Sequence, residues 1–135
     1  MTTTTMPMLE SHPAEITLDR GRLAATIDAL IACAEACTAC ADACLSESSV
    51  AELTKCIRTD LDCADVCGVT ARVLSRHTGY DATVSRALLE ACAVACKACG
   101  DECEGHAGMH EHCRICAEAC RVCEAACRDL LTTIS

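Results

Sequence analysis

Apolar residues recur along this chain at alternating separations of three and four. The pattern is most regular near the end, where Cys113, Cys116, Cys120, Cys123 and Cys127 take the positions of an aliphatic stripe. At 100° per residue these five thiols fall within an arc of roughly 80° on one helical face. Three earlier segments carry the same period. Leu23, Ile27, Leu30, Cys33, Cys37, Cys40 and Cys44 predict a helix from Asp19 to about Leu45. Leu53, Cys56, Asp60, Cys63, Cys67, Thr70 and Leu74 predict a second; Ser49-Val50-Ala51-Glu52 reads as the capping box that opens it, and it ends at His77-Thr78-Gly79 with Gly79 at C′. The third starts between Asp81 and Thr83, carries Leu88, Cys92, Cys96, Cys99 and Cys103, and closes at Gly105. A loop over residues 104–112 leads into the last helix, whose cysteines are followed by Leu130, Leu131 and Ile134.

The chemistry of the stripe alternates. It runs aliphatic then thiol in the first and third helices, and thiol then aliphatic in the second and fourth. Four amphipathic helices with short connections predict an all-α, antiparallel up-down-up-down four-helix bundle with a cysteine-lined core. In that arrangement all thiol halves share one end. Leu23, Ile27, Leu30, Leu74, Leu88, Leu89, Leu130 and Ile134 then plug the other, beside the Tyr80 turn. His106, Met109, His110 and His112 sit over the thiol end. The segments 33–44 and 92–103 share the spacing CxxxCxxCxxxC, as in a duplicated helical hairpin, whereas Asp60 stands where the second stripe calls for another cysteine.

Composition sharpens this picture. The 135 residues include 16 Cys, 1 Tyr and no Phe or Trp, so sulfur, alanine and aliphatics must fill the core. The segment 1–17 reads as a flexible polar tail without the marks of an export signal, and residues 18–135 as the helical domain. No apolar run approaches a membrane span, and the net charge of −9 argues against nucleic acid as a partner. The expected location is the cytoplasm, where thiols stay reduced and dense cysteine points to metal.

One or two core cysteines need no function, but sixteen in register do. The CxxC pairs Cys37/Cys40, Cys96/Cys99, Cys113/Cys116 and Cys120/Cys123 lie mid-helix in continuous stripes, unlike turn-borne zinc sites or loop-wrapped iron–sulfur clusters. Soft Cu(I) accepts two or three sulfurs and tolerates bridging, so thiols at i, i+3 and i, i+4 can share ions. Buried thiolates are costly alone, so the metal-free protein keeps its thiols protonated and releases protons as cations arrive. One Cu(I) per thiolate gives roughly 16 ions per chain. No general base, nucleotide loop or organic-cofactor motif argues for an enzyme. An iron–sulfur or dithiol redox protein and a zinc buffer are the competing readings.

From about residue 18 onward the four cysteine stripes resemble the cytosolic copper storage proteins, a cysteine-rich four-helix-bundle family. The resemblance implies a homotetramer of bundles that stores many Cu(I) ions on Cys33, Cys37, Cys40, Cys44, Cys56, Cys63, Cys67, Cys92, Cys96, Cys99, Cys103, Cys113, Cys116, Cys120, Cys123 and Cys127. It further implies that Asp60, His106, His110 and His112, with Met109, assist copper at the mouth, and it admits a cytosolic copper chaperone as donor or acceptor. Met6, Met8 and His12 lie in the tail, away from these motifs.

Overall fold

The computed structural model describes residues 4–134; residues 1–3 of the expected tail and the final residue of the chain lie outside the described residues. The described residues contain one short helix, α1 (Thr5–Glu10), and four long ones: α2 (Arg20–Leu45), α3 (Thr54–Leu74), α4 (Ala82–Glu104) and α5 (Glu111–Leu131). Helix α2 packs on α3 and α5, and α4 packs on the same two, so the long helices close a ring around the stripes.

Local chemistry sets the helix boundaries. Asp19 caps α2 by accepting a 2.8 Å hydrogen bond from the Arg22 amide, and Asp81 caps α4 through the Thr83 and Val84 amides. The second helix departs from expectation at both ends. Ser49 makes no side-chain cap; Val50–Glu52 form a single 3₁₀ turn, and α3 begins only at Thr54. Leu53 explains the delay, because burying its side chain fixes the chain just before the first thiol turn. At the other end α3 stops at Leu74, where the Ser75 hydroxyl donates back to the Ala71 carbonyl. Gly79 therefore serves the turn after the helix, with φ at 65°, rather than its C′ position. Gly105 ends α4 in ordinary right-handed geometry, and α5 starts at Glu111, so His112 is helical.

Leu23, Ile27, Leu30, Leu74, Leu89 and Leu130 are buried and form the aliphatic plug; Leu88 and Ile134 are only half-buried. Of the two adjacent leucines on α4, Leu89 shares the face of Ser85, Cys92 and Cys96, which turns Leu88 toward the flank. Each fully buried leucine contributes about 1.5–3 kcal/mol. By length and composition α2 alone among the described residues is apolar enough to cross a membrane, which sequence inspection did not anticipate. Its stripe from Leu23 to Cys44 is buried in the core instead.

The expectation of a structureless tail is corrected between residues 5 and 10. Helix α1 packs on α2, buries Leu9, and fixes its first turn with a 2.6 Å hydrogen bond from the Thr5 hydroxyl to Asp28. Pro7 fits because first-turn amides have no helical acceptor to lose. The His12 and His77 rings meet edge-on with centroids 5.6 Å apart, next to Tyr80. Leu9→Ala is expected to cost about 2 kcal/mol, the low end for a buried leucine because so short a helix frays readily. Urea unfolding of the metal-free protein checks this, and limited proteolysis should cut the variant first between residues 11 and 19.

Candidate metal centre

All sixteen cysteines are buried and unpaired by disulfide. Their positions follow from the periodicity, since each stripe of three- and four-residue steps keeps its thiols on the face turned into the ring. Most of the sulfurs form one contact network. Near the plug, Cys67 Sγ lies 3.4 Å from Cys92, 3.6 Å from Cys96, 3.8 Å from Cys63 and 3.9 Å from Cys123. Cys33 links onward to Cys63, Cys37 and Cys120 at 3.8–3.9 Å. Cys37 lies 3.8 Å from Cys99 and 3.7 Å from both Cys116 and Cys120. Cys103 joins Cys56 at 3.7 Å, and Cys40 joins Cys113 at 3.9 Å.

These separations suit a soft metal without rearrangement. A thiolate–metal bond of about 2.3 Å in trigonal geometry sets sulfurs about 4 Å apart. Sets of four ligand atoms, all within 4.8 Å of one another, include Cys33/Cys63/Cys67/Cys96, Cys33/Cys37/Cys63/Cys120, Cys37/Cys99/Cys116/Cys120 and Cys67/Cys92/Cys96/Cys123. Membership overlaps: Cys33, Cys37, Cys63, Cys67, Cys96 and Cys120 each serve two of these sets. Isolated tetrahedral zinc sites would compete for shared sulfurs, whereas bridged Cu(I) uses the sharing.

Cys33 and Cys63 are drawn below the ordinary thiol range, with hydrogen bonding from Cys120 the leading cause for each. Cys37 and Cys96 are pushed above it, led by hydrogen bonding with Cys116 and Cys123 and added to by burial. Burial lifts the Cys113 thiol to about 11. Hydrogen bonds from neighbouring thiols thus favour charge on some sulfurs while burial keeps others protonated, and arriving cations replace the remaining protons.

Asp60 lies deeper than a rim residue. It is fully buried, with Oδ1 3.0 Å from Cys99 Sγ, 3.2 Å from Cys103 and 3.3 Å from Cys116. Burial, the leading cause, pushes its carboxyl up to about 6. The histidines divide. His112 Nδ1 lies 3.4 Å from Cys40 Sγ and 3.6 Å from Cys113 Sγ, and His112 forms a further ligand set with Cys40, Cys44 and Cys113. His110 stacks on His112 with centroids 5.4 Å apart, while His106 pairs with Glu102 at 2.9 Å. Met109 is 70% exposed and turned outward. On the far side of the molecule Met8 is exposed, Met6 is half-buried against the core, and His12 Nδ1 accepts from the Ala14 amide.

One residue of this end carried no sequence signal. Glu47, in the loop after α2, lies 2.8 Å from His112 Nε2 and 2.9 Å from His110 Nδ1. Its carboxyl is held below the usual range, chiefly by hydrogen bonding with His112. It stands 63 positions or more from either histidine in a run of polar loop residues, so periodicity could not mark it.

A ring of helices filled with overlapping thiol sites defines a multi-ion, soft-metal protein. Residues 19–132 match the sequence profile of the copper storage proteins, and the chain belongs to that family. It is similar to the copper storage protein Ccsp of Streptomyces lividans, solved loaded with 10 copper equivalents, at 65% identity and a TM-score of 0.94, over 96% of this chain and 98% of that one. A second structure, of copper loading to a cytosolic copper storage protein from the same organism with five coppers, gives 70% identity and a TM-score of 0.82 over 83% and 93%. The Cu(I)-bound copper storage protein Csp3 of Bacillus subtilis gives 37% identity and a TM-score of 0.71 over 79% and 95%.

Proposed function

We propose that this protein stores Cu(I) in the cytoplasm on its core thiolates, as an antiparallel up-down-up-down four-helix bundle that performs no catalysis. The supporting observation is the sulfur network, with neighbours 3.4–3.9 Å apart and Asp60 set among Cys99, Cys103 and Cys116. Anaerobic titration of the reduced protein against a competing chelator is expected to pass ten Cu(I) per chain, because bridging supports about one ion per sulfur. Saturation at four or fewer would return the zinc reading. A visible chromophore in protein as isolated would instead favour an iron–sulfur cluster.

Copper passes through the thiol end in this proposal, past His110 and His112, with His106 and Met109 farther out and Asp60 receiving ions within. Imidazole and carboxylate hold Cu(I) more weakly than thiolate, so these residues transfer ions inward. Replacing His106, His110 and His112 by Phe is expected to slow uptake several-fold in stopped-flow measurements and leave final capacity nearly unchanged. Uptake at the wild-type rate would move the route elsewhere. The working form is a homotetramer, supported by exposed apolar residues on the outer helix faces, including Ile31, Val94, Ile115 and Val122. A cytosolic copper chaperone is the proposed exchange partner.

A further inference from the structure

We propose that Glu47 is a positioning residue for the mouth: its carboxylate fixes the tautomers of His110 and His112 so that each turns an unprotonated ring nitrogen to arriving Cu(I). The inference rests on the proposed route through this end. A carboxylate oxygen accepts but does not donate, so His112 Nε2, hydrogen-bonded to Glu47 Oε2 at 2.8 Å, must carry the proton, and His110 Nδ1, 2.9 Å from the same oxygen, is drawn to do so. His112 Nε2 and His110 Nδ1 both face Glu47 Oε2 at these distances. A neutral imidazole has one N–H, so the lone pairs fall on His112 Nδ1 and His110 Nε2.

One of those nitrogens faces the thiols, and the other is buried and unpartnered. His112 Nδ1 faces the sulfurs of Cys40 and Cys113. His110 Nε2 is buried without a hydrogen-bond partner among the described residues, a loss that ordinarily costs about 1–3 kcal/mol. A ligand nitrogen waiting for its ion accounts for that loss. Glu47 is itself held: its amide donates to the Cys44 carbonyl and its carbonyl accepts from the Val50 amide, tying the loop to a member of the thiol set. Carboxylates behind ligating histidines act in this way in metal sites generally. With the carboxylate gone, a proton on His112 Nδ1 would point at the thiols and occupy the lone pair that copper needs.

The test uses the full reduced chain. Long-range proton–nitrogen correlation spectra of the metal-free protein are expected to show single tautomers at His110 and His112, mixed tautomers after Glu47→Gln or Glu47→Ala, and no change at His106, which pairs with Glu102. Uptake from a buffered Cu(I) complex should slow by no more than the several-fold expected on loss of the histidines themselves, since the effect runs through them. Tautomers unmoved by both substitutions overturn the proposal. So does a Glu47→Gln slowing that persists in full when His110 and His112 are already Ala, because the effect then does not run through the histidines. A His110→Ala/His112→Ala chain that loads at the wild-type rate overturns the copper route, and the role with it, whatever the tautomers show.

Discussion

Replacing Cys33, Cys63, Cys67 and Cys96 together by Ala is expected to remove at least four Cu(I) ions per chain and to split the remaining store in two. These four sulfurs form one ligand set in the middle of the network, and they carry the contacts that join the Cys92/Cys123 region to the Cys37/Cys120 region. Alanine keeps the helices and leaves small cavities, at about 1 kcal/mol each. A summed cost of about 4 kcal/mol falls within the stability of an ordinary domain, so the variant should still fold. Copper titration followed by circular dichroism checks both halves; unchanged capacity would mean the core sulfurs do not hold the ions.

Asp60→Asn is expected to make the metal-free protein more stable at neutral pH by about 1–3 kcal/mol, and to remove a pH dependence that the parent shows. Burial raises the Asp60 carboxyl to about 6, against about 3.9 for an unfolded chain. The folded state therefore keeps a proton that the unfolded state has already lost. Stability from this group is complete below pH 4 and declines as pH rises toward and through 6. Urea unfolding at pH 4.5 and 7.5, with reductant and chelator present, should show that loss in the parent relative to the variant. A parent that gains stability across this window, relative to the variant, would contradict the placement of a poorly solvated carboxyl among thiols.

What the sequence disclosed was what repeats. Cysteine at helical spacing marks face, register and end for every one of the sixteen thiols, because an intrahelical pattern needs no knowledge of neighbours. Asp60 stood out for the same reason, as a break in a stripe, though its depth could not be read. Burial depends on which side chains from α4 and α5 close over it, and Cys99, Cys103 and Cys116 do so. Features that depend on long-range packing were missed. Thr5–Glu10 has too little periodicity to announce a helix, and only the α2 surface beneath Leu9 makes it one. Ser49 offered a plausible cap that the burial of Leu53 overrode. Glu47 acquires a role only once its loop and the start of α5 are brought together.

The aliphatic plug also bears on the order in which ions return. Leu23, Ile27, Leu30, Leu89 and Leu130 offer no oxygen, nitrogen or sulfur donor, so a cation that reaches Cys92 or Cys127 has no path forward. On the proposed route, which opens at the Cys40/Cys113 end, the sulfur column would behave as a blind shaft. On that route ions would move by exchange between shared thiolates, those lying farthest in would wait behind later arrivals, and the first copper given back would be the last that was taken up.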